Sequence, residues 1–259
     1  MHALIIKLTL PSLLILLASL VGRRWGEVVG GWVTGLPLTS GPVIAFLALQ
    51  YGPDFAAVAT NGSLVGAAAQ ALACIGYARL ADRGWPVALF AGITTFALGA
   101  ALLHAAAMPH WVLFLAALAV LTAALVVIPS RMVRRSIMAP PWWDLPARMV
   151  VVSLLVVGLT AATPLLGAEV SGVLAAFPIF AMTLAIFAHR AQGPAAARQV
   201  VRGMVIALFG FSCFFYVLGL LLVSMNTILA FMISALAALG TQALLFRLMH
   251  PGGRSGAVA

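Results

Sequence analysis

The stretch GGWVTGLPLTSGP occupies residues 30–42 and interrupts an apolar run that would otherwise be continuous. Its two prolines and four glycines remove amide donors and weaken helical order. In hydrocarbon an unpaired backbone group is costly, so such a break survives only where protein buries it or where it faces a watery cavity. The stretch therefore predicts a discontinuous membrane helix near Pro37.

The composition of the whole chain is that of a membrane protein. Of its 259 residues 64% are apolar and 7% are charged, and the mean hydropathy is +1.17. No soluble domain of this length needs so much apolar surface. The net charge of +9 comes from arginines at the ends of apolar segments, where they set topology and meet anionic lipid. We expect membrane lipid as a partner and no nucleic acid.

Nine apolar runs are long enough to cross a bilayer as helices. They fall at about 4–21, 27–49, 55–78, 86–107, 111–128, 147–166, 169–189, 198–223 and 226–247. The arginine-rich loops all follow odd-numbered spans. The positive-inside bias then predicts an N-terminus outside and a C-terminus in the cytoplasm.

The second half of the chain repeats the first, without a gap, at an offset of 141 residues. Equivalent positions carry the same or similar residues: Pro37 and Pro178, Gly52-Pro53 and Gly193-Pro194, Gly31 and Gly172, Gly62 and Gly203, Lys7 and Arg148. Five spans separate equivalent points, and this odd number turns the second half upside down in the membrane. We predict an all-α polytopic protein with about nine transmembrane helices in two inverted four-helix repeats. Residues 1–108 and 145–259 form the repeats, and 109–144 form a linker helix with a basic cytoplasmic loop.

The run EVSGVLAAFPIFA at residues 169–181 resembles the GlpM family of small four-span inner-membrane proteins. Their pattern Gly-x(4)-Phe-Pro-x-Phe-Ala is matched from Gly172 to Ala181, and His189-Arg190 and the Gly193 loop follow. The resemblance covers about 145–247 directly, and it reaches the first half only through the repeat, where LPLT at 36–39 replaces FPIF at 177–180. It implies a four-span unit that was duplicated, inverted and fused, in a bacterial inner (cytoplasmic) membrane. It implies no particular activity.

The two interrupted helices are the candidate substrate site, because unwound backbone exposes carbonyls and amides. The predicted substrate-binding residues at the breaks are Thr34, Gly35, Pro37, Thr39, Ser40 and Gly41 in the first half, with Phe177, Pro178 and Thr183 in the second. The alternative is a pair of proline kinks repaired by neighbouring hydroxyl groups.

Charged and polar residues away from the breaks complete the candidate site. Lys7 and Arg148 are candidates to meet an anionic group of the substrate, although long side chains near helix ends also snorkel to the interface. Glu169 is the candidate coupling carboxylate, with helix capping as the alternative. Asn61 begins a thin polar stripe that continues through Ser63, Gln70, Cys74 and Tyr77, a pattern more typical of helix–helix hydrogen bonding.

Enzyme signatures are missing from the sequence, so we expect no enzyme, no cofactor and no metal site. His104 and His110 flank one predicted external turn, and we interpret both as structural. The leading hypothesis is a small secondary transporter or translocase of a lipid or another amphipath, carrying an amphipathic or weakly anionic substrate by alternating access. The alternative is a non-transporting accessory protein for envelope or polysaccharide assembly. A transporter should have a polar crevice between the breaks, whereas an accessory protein should be packed shut there. The sequence leaves open whether the protein works as a monomer or as a homodimer.

Overall fold

A computed structural model describes residues 40–129 and 144–249 of the chain, together with Leu13 and Pro37. Every element in these residues is helical. The elements are α1 (Ser40–Tyr51), α2 (Pro53–Leu80), a 3₁₀ turn (Ala81–Arg83), α3 (Trp85–Ala105), α4 (His110–Val127), α5 (Asp144–Ala175), α6 (Ile179–Gln192), α7 (Pro194–Leu221) and α8 (Thr227–Met249).

Five of these helices, α2, α3, α4, α7 and α8, are long and apolar enough to cross a membrane. They confirm the spans predicted at 55–78, 86–107, 111–128, 198–223 and 226–247. The predicted span 4–21 lies outside the described residues apart from Leu13, and the span 27–49 is described only at Pro37 and from Ser40 onward. The chain is therefore a helical membrane protein with at least these five crossings by length and composition.

Large apolar side chains on the outer surface of the bundle fit that conclusion. Leu102 on α3 is 74% exposed, Val126 on α4 is 81% exposed and Ile228 on α8 is 72% exposed. Exposed apolar groups of this size, spread over several helices, would be costly in water. In lipid they cost nothing, because the acyl chains are equally apolar.

The predicted boundary between the spans 147–166 and 169–189 coincides with Gly167, and the second region is interrupted after Ala175. Helix α5 runs through both regions from Asp144 to Ala175, with one non-helical residue, Gly167 (φ 75°, ψ 173°), which divides it into α5a (144–166) and α5b (168–175). After Ala175 the helix stops, and α6 begins only at Ile179. Pro178 has no N–H to donate to Leu174, so the α-helix ends with tightened i to i−3 bonds such as Phe177 N–H to Leu174 O (3.1 Å). The interruption predicted beside Pro178 is thus present.

Helix α2 lies at the centre of the described bundle. It packs against α1, α3, α4, α5 and α7. Alanine, glycine and serine fill most of its buried positions. Small residues let helix backbones approach closely, and this packing replaces the hydrophobic driving force that lipid cannot supply.

The two ends of the bundle differ in charge. We call one the arginine end: α2, α4 and α6 end there, α3 and α7 begin there, and it holds Arg79, Arg198 and Arg202. We call the opposite one the Glu169 end, where α5b begins beside the end of α3.

Candidate functional site

The start of the described part of α1, beside the first predicted break, lies against the end of α5b, which precedes the second break. The Ser40 hydroxyl at the first turn of α1 donates a 2.9 Å hydrogen bond to the Ala175 carbonyl at the last turn of α5b. The residues are 135 positions apart in the chain, and both side chains are about 1% exposed. In the first turn of α1, the Gly41 amide donates to the Pro37 carbonyl at 2.7 Å, an i to i−4 bond of the kind found in an α-helix.

A side chain from the central helix closes the second break. The last carbonyls of a helix have no partner inside that helix. The Gln70 side-chain amide on α2 donates to the Ala176 carbonyl, and Gln70 is only 7% exposed. The freed carbonyls of Ala175 and Ala176 therefore both receive hydrogen bonds from within the protein.

Glycines bring α2 and α5b into backbone contact beside this break. A Cβ added to Gly62 would overlap the Glu169 carbonyl oxygen, and one added to Gly172 would overlap the Ala59 carbonyl oxygen. One turn further along α2, a Cβ on Gly66 would meet the Ala176 methyl group. The crossing fixes the depth at which Gln70 meets the end of α5b.

Aromatic packing covers the break on the side of α3. The ring of Phe177 packs edge-on against Phe96, with ring centroids 5.0 Å apart. Pro178 is buried, and its carbonyl accepts the Met182 amide at 2.9 Å as α6 begins. The described surroundings of the break are thus packed and apolar apart from the two side-chain donors.

The candidate coupling residue has a partner that the sequence did not indicate. Glu169 lies in the first turn of α5b, and its carboxylate is 3.1 Å from Nδ1 of His104 at the end of α3. Both side chains are partly exposed, at 31% and 42% respectively. The pair links α3 to α5b at the Glu169 end.

Asn61 also lies toward the Glu169 end, on another helix. Its side-chain oxygen is 2.6 Å from Nδ1 of His110, while Nε2 of His110 is 2.9 Å from the Tyr216 carbonyl. A carbonyl only accepts, so Nε2 carries the proton, and the neutral ring needs the Asn61 amide turned so that its NH₂ donates to Nδ1. His110 thus joins α4, α2 and α7, as the structural interpretation of this histidine predicts.

The predicted site residues separate into three groups. Ser40, Gly41, Pro37, Phe177 and Pro178 lie at the two breaks. Asn61 is nine residues from Gln70, about 14 Å along the helix at 1.5 Å per residue, so it is not part of the break. Thr183 is exposed on α6 and is not among the buried groups around the break.

The third group contains the predicted site residues whose side chains the structure does not describe. Lys7, Thr34, Gly35 and Thr39 lie outside the described residues. Arg148 is in the helical part of α5a, but its side chain is not described. Every contact reported for the first break therefore comes from Pro37 and from residue 40 onward.

Sequence reasoning missed Gln70 as a residue of the break and His104 as the partner of Glu169. The available signal was a polar amide side chain within an apolar span. The sequence analysis interpreted the stripe that contains Gln70 as helix–helix hydrogen bonding. That interpretation is confirmed for Gln70 and for Tyr77, whose hydroxyl lies 3.1 Å from Nδ1 of His189. Comparison with protein-family models, curated proteins and solved structures finds no match to this chain.

Proposed function

We propose that this chain is a small secondary transporter or translocase that moves an amphipathic or weakly anionic substrate by alternating access. Its nine spans form two inverted four-helix repeats, with the N-terminus outside and the C-terminus in the cytoplasm of a bacterial inner membrane. The two halves rock against each other around the paired breaks.

The recurrence of helix bounds supports the duplication. Helices α2 (Pro53–Leu80) and α7 (Pro194–Leu221) have the same length, 28 residues, and both begin with proline after a glycine. Those glycines, Gly52 and Gly193, share an unusual conformation, with φ of 92° and 86°. Equal bounds at the same offset as the sequence repeat are expected if one ancestral unit was copied.

The observation that carries the transport proposal is the contact between Ser40 and Ala175. It joins the first turn after one break to the last turn before the other, which is the meeting point that alternating access requires. The hydrogen bonds from Ser40 and Gln70 each contribute about 0.5–1.5 kcal/mol net. These two hydrogen bonds favour the closed site, and a substrate that supplies replacement donors and acceptors offsets their loss when the site opens.

Substrate charge follows from the half-helix ends. Helix α6 begins at the second break, directly after Pro178, and a helix N-terminus favours an anionic group. Glu169 and His104 then serve as the proton-coupling pair, because protonating the carboxylate releases the link between α3 and α5b.

A second function has an observation in its favour. The carbonyls of Ala175 and Ala176 are satisfied from within the protein, and Ser40, Gln70 and Pro178 beside them are buried. This packed break is what we expect of a non-transporting accessory protein for envelope or polysaccharide assembly, whereas a transporter is expected to have a polar crevice there. The two functions differ in whether the break ever opens.

Thiol labelling from each side of the membrane tests this difference without a known substrate. Ser40→Cys, in a background with Cys74 and Cys213 replaced by alanine, is exposed to a membrane-impermeant maleimide in right-side-out and inside-out vesicles. Alternating access predicts slow labelling from both sides. Gln50→Cys, exposed near the end of α1, should label from one side only, and Ala71→Cys, buried in α2, from neither.

No labelling of Ser40→Cys from either side, with the protein folded and the Gln50→Cys control labelled, would favour the accessory function. An imposed pH gradient should change the ratio of the two labelling rates, and Glu169→Gln should remove that change. If Glu169→Gln responds to the gradient as the parent does, Glu169 is not the coupling residue.

A further inference from the structure

A second site, separate from the helix breaks, lies at the arginine end of the bundle. The whole chain has 14 Lys and Arg against five Asp and Glu, and there is no acidic residue between Asp82 and Asp144. Such an excess of one sign raises the local concentration of counter-ions at that surface. The question is whether the fold provides a place where an anion is held rather than merely attracted.

The fold has a cavity at this end. Its volume is about 280 Å³, and it is lined by Ala78 and Arg79 at the end of α2, Val127 and Pro129 at the end of α4, and Arg198 on the first turns of α7. The lining combines two guanidinium groups, those of Arg79 and Arg198, with three apolar side chains. That combination suits a charged headgroup that continues into a hydrocarbon tail.

The Arg198 guanidinium is held in place at the wall of this cavity. Its Nε donates to the Ala78 carbonyl at 3.0 Å, and its Nη2 pairs with the Asp82 carboxylate. Its Nη1 makes no hydrogen bond to any residue that the structure describes. Arg198 is therefore oriented by the protein and still has N–H groups to donate.

The neighbouring Arg202 binds the carbonyl groups at the C-terminal end of α4, which would otherwise repel an anion. Its Nη1 donates to the carbonyls of Leu125 and Ile128, the latter at 2.6 Å, so it caps the negative end of that helix. Asp82 is paired with Arg198 in the same way. The negative groups around the cavity are thus neutralised before any ligand arrives.

Arg79 is the second arginine of the cavity lining. Its side chain is exposed, and it forms no hydrogen bond or ion pair with the residues in 40–129 and 144–249. A fixed guanidinium and a movable one on the same cavity can hold a tetrahedral oxyanion from two directions, since guanidinium groups match phosphate oxygens in pairs.

We propose that this cavity binds a phosphate group, with Arg198 as the fixed donor and Arg79 as the residue that closes over it. The phosphate belongs to an anionic glycerophospholipid or to free phosphate, and the apolar lining at Val127 and Pro129 favours the lipid. The inference stands whether or not the chain transports, because it uses none of the residues at the helix breaks.

Binding of three probes to the purified full-length protein tests the proposal. The probes are dioctanoylphosphatidylglycerol, inorganic phosphate and dioctanoylglycerol, which lacks the phosphate, each titrated by calorimetry in detergent. Arg79→Gln should weaken binding of the phospholipid about tenfold, the loss of one charge-assisted contact. Arg247→Gln removes the same charge from the exposed end of α8, away from the cavity, and should change binding less than about twofold.

Each outcome decides something. Binding of the phospholipid alone, weakened by Arg79→Gln, identifies a lipid headgroup site, and equal dependence for inorganic phosphate identifies a free-phosphate site. Equal binding of dioctanoylglycerol, or equal weakening by Arg79→Gln and Arg247→Gln, overturns the proposal. Arg79 is exposed and without described partners, so its replacement should leave the fold intact, which circular dichroism and gel filtration would verify.

Discussion

Helices α2 and α7 occupy equivalent positions in the sequence repeat, yet they differ in how deeply they are buried in the bundle. Both contain 28 residues and both follow a glycine with positive φ. In the most apolar 18-residue window, however, α2 is 72% buried and α7 is 44% buried. The backbone bounds are the same, whereas the surroundings are not.

The side chains explain the difference. Helix α2 carries Gly62 and Gly66 where it crosses α5b, and Gln70 where it reaches the break. At the positions 141 residues later α7 has Gly203, Ala207 and Phe211. The amide that closes one break thus has an aromatic ring as its counterpart. Two helices with equal bounds can therefore differ in whether they carry a specialised polar contact.

The largest expected effect comes from the two equivalent glycines of these helices. Gly62→Ala would force apart α2 and α5b, because the new Cβ overlaps the Glu169 carbonyl, and we expect a loss of about 3 kcal/mol or more. Gly203→Ala places its Cβ where no described atom lies within 4 Å, on an exposed helix surface. It should be neutral or stabilise by up to about 1 kcal/mol. Unfolding in mixed detergent measures both, and equal effects would contradict the difference in packing.

Next in size are the glycines that precede the two helices. Gly52 and Gly193 have φ near +90° and ψ near 180°, a backbone conformation that residues other than glycine rarely adopt. Gly52→Ala and Gly193→Ala should each destabilise by about 1–3 kcal/mol, and by similar amounts in the two halves. The same unfolding assay applies. A large loss at one glycine with none at the other would show that only one turn is under this constraint.

A third comparison, with an expected effect no larger than that of the glycine turns, sharpens the role of Gln70. Gln70→Leu leaves the Ala176 carbonyl buried without its side-chain donor, which should cost about 1–3 kcal/mol. Gln242→Leu is the matched control. The Gln242 side-chain amide also donates to a helix carbonyl, that of Ala207 at 2.9 Å, but this carbonyl lies within the unbroken α7. That carbonyl keeps its helical partner, so the loss should stay below about 1 kcal/mol. If the two variants lose equal stability, the broken helix end has no special need of Gln70.

The sequence predicted the helices and their interruptions well, since both depend on local chemistry. Apolar runs of spanning length became α2, α3, α4, α7 and α8 within a few residues of the predicted bounds. Helix α5 ends at Ala175, shortly before Pro178, because proline has no amide hydrogen with which to continue the helix. The predicted boundary between the spans 147–166 and 169–189 also agrees with the structure, because Gly167 is the one non-helical residue of α5.

The candidate site was predicted only in part, because its partners are distant in the chain. Ser40 and Pro178 were identified from the breaks themselves, whereas the contact of Asn61 with His110 on another helix could not be predicted. Nothing in a single sequence links Glu169 to His104, or Gln70 to Ala176, which are 106 residues apart.

By itself the sequence determined that the chain is a helical membrane protein, and it located the apolar runs, the glycines of the turns and the point beside Pro178 where a helix stops. Only the tertiary structure decided which groups satisfy the carbonyls that the second break leaves free. The physical reason is that helix formation and termination depend on neighbouring residues. The pairing of Gln70 with Ala176 depends instead on how closely two helices cross, which the buried glycines Gly62 and Gly172 set.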